Sequence, residues 1–504
     1  MKDDEVADLL RSEVPLVVIE APAGCGKTHQ GALFAAEIAA RNKRGRLLIL
    51  THTHAARSVF ADRIQSGSVA IRTIDSFLVE IATAYHAALD LPLDVGRWAR
   101  ESGKYDEAAK RCRHLLEGSS MVSSALADRH PWIVCDEHQD ASEDQHRAIM
   151  AIHAAGARAR FFGDPMQMIF AKSDGDIRRN VERWEGLKAL GAWGELEHPH
   201  RWLPHSPDLG EWVLEARRTL RDGGIIDLTG RLPRGLSVHF AENSASVPNK
   251  AMSMTAGHRA PISALTRGDR SLLVLAVGTE RVEHLNSFFG RSMPIWEGHR
   301  RDHLTALVAC VRSASGDLGL ISDGFLQFVY ATTARFSASS HGNRLKVQIA
   351  ERCSRRARGA TIHLQTMARH LMDEPDHRGV ARALHKFTEL VRAREDGFAE
   401  VTLDLKAEIR DAIQIGRFAD VDEGFAEISR RRSFTHPQPA PRSISTVHKS
   451  KGLECDNALM MLCDKQSFSN SRYKRRLFYV GISRAKRSLA LVLSRNHPIP
   501  FLTI

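Results

Sequence analysis

The sequence predicts an α/β protein with two parallel β-sheets covered by helices, and three observations predict it. Short runs of β-branched residues and leucine alternate with longer helical patterns, as in sheets buried on both faces. The runs form two sets: "PLVVIE", "RLLIL", "VAIRTI", "WIVCD" and "RARFFGD" early, then "SLLVLAV", "RSISTV", "NALMML" and "SLALVLS". The first run leads straight into "APAGCGKT", Ala21 to Thr28, which opens the helical stretch "HQGALFAAEIAARNK".

That loop has the chemistry of a phosphate cradle. Gly24 and Gly26 let backbone N–H groups approach anionic oxygens, and the N-terminus of the following helix favours negative charge. In this pattern Ala23, Gly24, Cys25 and Gly26 line the phosphates, Lys27 reaches the β- and γ-phosphates, and Thr28 ligates magnesium. Ala21 stands where the usual pattern has its first glycine. Downstream, the apolar run "WIVC" ends in Asp136 and Glu137. Asp136 at a strand tip is placed to hold the magnesium, and Glu137 to orient or deprotonate an attacking water.

Composition frames the partners. The 504 residues suffice for several domains, and 71 Lys plus Arg against 60 Asp plus Glu leave a formal charge of +11. That excess favours a polyanionic partner. The seven cysteines are scattered with no CxxC pair, which argues against zinc, iron–sulfur clusters and a disulfide framework. The acidic start "MKDDEVADLL" lacks a signal-peptide core, and no apolar run is long enough to span a bilayer. The sequence predicts a reducing, cytoplasmic compartment and no membrane partner.

The ordered segments resemble the UvrD/Rep type of superfamily-one helicases. "APAGCGKT" and "DEHQD" look like motifs I and II, "LTHTHAARSVFADRI" like Ia, "TIDSF" like Ib and "GDPMQMIF" like III. "LEHPHRW" looks like IV, "STVHKSKGLE" like V and "RRLFYVGISRAK" like VI. The resemblance implies two RecA-like P-loop cores that pinch ATP, each with a helical insertion. The first core (1A) would take residues 1–77 and 131–190, and its 1B-like insertion 78–130. The second core (2A) would take 191–312 and 437–504, and its 2B-like insertion 313–436, with the Pro-rich "THPQPAPRS" as a linker. Residue by residue, the resemblance implies that Gln139 and Gln167 sense the γ-phosphate or attacking water. It implies that Arg201 and Arg484 are donated from the second core, and that Glu454 lies near the nucleotide sugar. Thr51, Thr73, Phe170, Thr446 and His448 take DNA-facing positions, and His448 reads equally as a packing residue. The basic "RCSRRARGA" reads as a solvated helix face rather than a DNA contact.

Several positions depart from the family pattern. No Gln occurs before Gln30, so the usual adenine-reading segment is missing and ATP is the default nucleotide. His52 replaces the phenylalanine of motif Ia, Phe170 holds the tyrosine position of motif III, and Lys172 and Ser173 stand where an aromatic and an arginine are usual. The resemblance implies a DNA-dependent ATPase moving 3′ to 5′ on single-stranded DNA. The alternative is a regulatory subunit that senses ATP and DNA ends and gates a partner nuclease. A P-loop ATPase unrelated to nucleic acid is the third reading, and motifs V and VI argue against it. The short stretch after motif VI predicts that no nuclease domain is fused there. Its compact layout resembles the helicase subunit of the Gabija anti-phage system, which implies a separate nuclease of the overcoming-lysogenization-defect type.

Overall fold

A computed structural model describes residues 1–41, 45–52, 60–61, 63–64, 68–171, 173–242, 253–296, 301–434 and 439–504. Lys172, most of the "LTHTHAARSVFADRI" segment beyond His52, and residues 435–438 of the expected linker lie outside them. The chain divides into two compact units, Met1–Ser292 with Pro441–Ile504, and Met293–Ala440. No helix among the described residues is long and apolar enough to cross a membrane.

The described residues form fifteen strands in chain order: β1 Leu16–Glu20, β2 Leu47–Thr51, β3 Val69–Thr73, β4 Trp132–Cys135, β5 Arg158–Gly163, β6 Ala192–Glu195, β7 Ile226–Asp227, β8 Leu236–Phe240, β9 Leu272–Ala276, β10 Thr333–Ala334, β11 Thr402–Leu403, β12 Arg442–Thr446, β13 Cys455–Cys463, β14 Ala485–Leu493 and β15 Leu502–Thr503. The first unit holds two larger sheets. One runs β3-β2-β4-β5-β1-β6 and the other β12-β9-β13-β14-β8. Every pairing within both is parallel. The fold is therefore α/β, with parallel sheets flanked by helices.

Burial on both faces explains the unbroken apolar runs. In β1, Leu16 and Val18 enter one core while Val17 and Ile19 enter the other. In β2, Leu48 and Leu50 join the first face and Leu47 and Ile49 the second. Each such side chain contributes about 1.5–3 kcal/mol by leaving water. The second sheet and its helices share one further core, with Leu273, Leu275, Met460, Leu489 and Leu491 among its members.

The observed limits differ from the expected ones. β6 pairs with β1 from Val17↔Ala192 onward, so the first sheet runs past residue 190. The stretch 78–130 forms helices Val95–Ser102, Tyr105–Gly118 and Ser120–Arg129, preceded by Ile74–Ala84. Their apolar faces (Ile81, Val95, Cys112, Leu116) share one core with Leu48 and Ile133 of the first sheet. These helices pack their apolar faces into the core of the sheet.

The second unit is helical around its own core of Phe325, Leu364, Phe387 and Phe398, with β10 and β11 as a short antiparallel pair. It begins at Met293, not at 313, because the helix Asp302–Ala314 buries Leu304 and Val308 in that core. The basic "RCSRRARGA" is not a helix face. It lies in the connection between helices Asn343–Ala350 and Ala360–Asp373, where the Gln365 amide donates to the Arg355 carbonyl at 2.7 Å.

Candidate nucleotide site

Parallel strands deliver their C-terminal tips to one edge, where the loops that follow can meet a ligand. At that edge of the first sheet stand Glu20, Thr51, Thr73, Cys135 and Gly163 as the last strand residues. The loop after Glu20 turns through left-handed conformations at Gly24 (φ +77°) and Gly26 (φ +82°). Its fit is close. A Cβ on Gly24 would lie 2.6 Å from the Trp202 ring and 2.8 Å from the Arg201 Cβ, and one on Gly26 would lie 3.1 Å from the His200 ring. Among the described residues the amides of Gly24 and Gly26 have no protein acceptor, whereas the Arg201 amide donates to the Gly24 carbonyl at 3.1 Å. Cys25 is fully buried, and burial pushes its thiol up to about 12.

Lys27 opens the helix Lys27–Arg41 with Thr28 beside it in the first turn. The Lys27 ammonium pairs with the Glu137 carboxylate and lies 3.4 Å from that of Asp136. Glu137 has a left-handed backbone, φ +56°, uncommon for a residue with a Cβ and frequent where function fixes a conformation. Burial would raise the Glu137 carboxyl, but Lys27 and then Lys451 hold it at about 2. Asp136 goes the other way, since burial outweighs the Lys27 charge and raises it. Gln139 donates to Glu137 at 2.5 Å and accepts from the Asp164 amide at 3.0 Å. Gln167 turns instead to Asp164, at 3.0 Å.

The second sheet supplies the facing side. Arg201 forks between the Ser483 carbonyl at 2.5 Å and Glu454 at 2.7 Å, and its buried Nε has no partner. Burial would raise the Glu454 carboxyl, yet Arg201 and Lys486 hold it at about 2. Arg484 is placed differently from Arg201. It is 2% exposed and donates to the carbonyls of Val480 (2.8 Å) and Leu453 (3.2 Å) and to the Ser483 hydroxyl (2.7 Å). Burial, with Arg201 nearby, lowers it to about 10.

The structure adds residues that the sequence reading did not single out. Lys451 reaches Asp140 at 2.5 Å and the Gln167 carbonyl at 2.8 Å, and lies 4.8 Å from the Phe170 ring centroid. It sits inside the motif V segment, where its charge was a visible signal. Asp164, Arg217 and Tyr479 form a buried group beneath the phosphate loop, each 1% exposed or less. Arg217 was detectable as a cation at the spacing of Val213 and Leu220, on the apolar stripe of its helix.

The five candidate DNA positions separate by exposure. Thr51, Thr73 and Thr446 are 0%, 6% and 8% exposed. Thr73 caps the helix Ile74–Ala84 by accepting from the Ser76 amide, and Thr446 accepts from the Lys449 amide. His448 is half-buried, stacks on Tyr473 and hydrogen-bonds its hydroxyl. Phe170 is 58% exposed. His52 is held neutral, down to about 4, by burial and by Lys451, and its buried Nε2 has no partner.

Residues 3–182 match the family model described as an AAA domain, and residues 427–496 match that of the UvrD-like helicase C-terminal domain. No curated protein matches the chain.

Proposed function

We propose that this chain, a helicase-like ATPase of the UvrD/Rep kind by its two matched domains, is a translocase that hydrolyses ATP and moves 3′ to 5′ along single-stranded DNA. The observation that supports the reading best is the meeting of Lys27, Glu137 and Gln139 from the first sheet with Lys451 and the Arg201–Glu454 pair from the second.

The residues fit a nucleotide with magnesium. Two loop amides without acceptors, the Lys27 ammonium and the helix N-terminus would receive the phosphates, while Thr28 and Asp136 would hold the metal. When bound, ATP with magnesium supplies a phosphoryl group open to attack by water. Lys27 would then exchange its carboxylate partners for phosphate oxygens. That exchange would remove the larger of the two charges that hold Glu137 down, Lys451 remaining, and would make its carboxylate a better acceptor of a proton from water. Gln139, already bonded to Glu137, keeps that carboxylate oriented. Arg201, from the connection between β6 and the helix Pro207–Arg221, would supply positive charge where negative charge grows in the transition state.

The test is hydrolysis with and without single-stranded DNA, with strand displacement on duplexes tailed at the 3′ or the 5′ end. Stimulation by single strands and displacement of the 3′-tailed duplex are expected. Hydrolysis indifferent to DNA sinks the reading.

A second reading has its own observation. Of the five DNA-facing candidates only Phe170 is an exposed aromatic, a thin hold for separating strands. On that reading the protein uses ATP and DNA ends to gate a separate nuclease and unwinds little itself, as part of an anti-phage complex of the Gabija kind. A nuclease of the overcoming-lysogenization-defect type encoded by the adjacent gene, co-purifying with this chain, supports it.

A further inference from the structure

The phosphate loop is anchored at its root by groups that no step above uses. Glu20, the last residue of β1, precedes the loop directly. It accepts from Arg217 at 2.5 Å. Arg217 also grips Asp164, at 3.0 and 3.1 Å, and Glu195 at 2.6 Å. Asp164 receives three more donors at its carboxylate: the Met166 amide at 3.1 Å, the Gln167 amide group at 3.0 Å and the Tyr479 hydroxyl at 3.0 Å. The same hydroxyl accepts from the Ala23 amide at 2.8 Å. The directions are fixed by chemistry, because an amide N–H only donates and a carboxylate only accepts. The hydrogen-bonded path therefore runs from Glu20 through Arg217, Asp164 and Tyr479 and re-enters the loop at Ala23.

Two features set Tyr479 apart from a packing aromatic. Its ring belongs to the core of the second sheet, on the helix Arg472–Ile482, and is fully buried. Its hydroxyl nevertheless reaches the loop of the first sheet. Ala23 stands immediately before Gly24, whose amide is open to a ligand. Holding Ala23 thus fixes the direction in which the next amides point. Asp164 extends the same path to the carboxylates, since its amide donates to Gln139, which in turn holds Glu137.

We propose that Tyr479 is a positioning residue of the nucleotide site: its hydroxyl fastens the Ala23 amide to Asp164 and so presets the phosphate loop from the second core. This deepens the proposed ATP-dependent function and rests on it. Nucleotide affinity then depends on how the second core sits against the loop, which gives that core a direct hold on ATP binding.

The decisive variant is Tyr479→Phe, which keeps the ring and deletes only the hydroxyl. The expected result is a KM for ATP raised about 5–10-fold with kcat within about twofold, as for loss of binding pre-organisation. A purely structural role reduces the folded fraction, which lowers kcat and leaves KM unchanged, so an unchanged KM overturns the proposal whatever the thermal stability does. Hydrogen exchange of the unsubstituted protein is a second measurement that survives a variant too unstable to assay. The Ala23 amide is expected to exchange much more slowly than those of Gly24 and Gly26, and equal rates overturn the proposal. Failure of the underlying reading looks different: the unsubstituted protein then shows no turnover that Lys27→Ala abolishes, and the proposal falls with it.

Discussion

At the residue scale, the two arginines expected to act alike differ in what holds them, and that changes how each is tested. Arg484 donates to Val480 and Ser483 inside its own segment and to the Leu453 carbonyl of another. Arg484→Ala would orphan those acceptors at about 1–3 kcal/mol each, so a loss of activity would report unfolding as much as chemistry. A drop of several kcal/mol in denaturant stability is the expected outcome for that variant. Arg201 is the cleaner probe. Its fork binds Ser483 and Glu454 together, which a single ammonium cannot reproduce. Arg201→Lys should cut turnover about 100-fold while nucleotide affinity changes only a few-fold, a size typical of one transition-state donor. Equal losses in both would assign Arg201 to ground-state binding. Lys27→Ala should abolish turnover, and Glu137→Gln should bind nucleotide but turn over slowly; full turnover by Glu137→Gln would remove that carboxylate from the mechanism.

At the scale of elements, the segment Asp136–Ala154 couples the site to pH. The buried His138 ring hydrogen-bonds His146 at 3.0 Å and packs on Phe161 at 4.4 Å. Burial holds His138 well below its ordinary range, and burial with Arg183 and Arg147 holds His146 at about 4. His52 is likewise held at about 4. All three are neutral in the folded chain and protonate near pH 6.5 when unfolded. Their contribution is therefore complete above about pH 6.5 and is lost progressively below it, and for His146 and His52 that loss ends near pH 4. Glu137 and Glu454, held at about 2, lose theirs only below about pH 4.5. The unfolding midpoint should fall between pH 6.5 and 4, and His138→Phe should flatten that limb alone; an unchanged slope in the variant would clear the histidine pair. Elements were legible where burial makes them unmistakable. Every run named from the sequence in the two sheets is a strand. β6, "AWGE", was missed because it is an edge strand with a single buried residue, and β8, "LSVHF", because two of its five are buried. The polar outer faces of the helices at 78–130 read like a separate insertion, while their inner apolar faces continue the core of the sheet.

At the scale of the whole molecule, the residues of the candidate nucleotide site stand out in the sequence and those of a nucleic-acid path much less so, for one physical reason. Phosphate chemistry demands particular residues at fixed spacings, whereas a strand can be held by any exposed aromatic or cation. Thr51, Thr73 and Thr446 matched family positions yet are buried. Ser173, in the altered stretch of motif III, is committed as a helix cap, accepting from the Asp176 amide at 3.1 Å. Phe170 is the exposed aromatic among the candidate DNA positions, with the Lys451 ammonium 4.8 Å from its ring. Stacking on one aromatic contributes about 1–3 kcal/mol per base, and the rest of the hold must come from a chain with a formal charge of +11. Attraction to phosphates weakens steeply as salt rises, because bound counterions are released on binding. Single-stranded DNA should therefore stimulate hydrolysis at low salt, while strand displacement by the isolated chain is weak and fails first as salt increases. Phe170→Ala should reduce DNA stimulation about tenfold and leave DNA-free hydrolysis within about twofold, the size of one lost stack. The measurement is displacement and hydrolysis side by side across a salt series. Displacement that persists at high salt in the Phe170→Ala variant would place the base grip on residues other than Phe170.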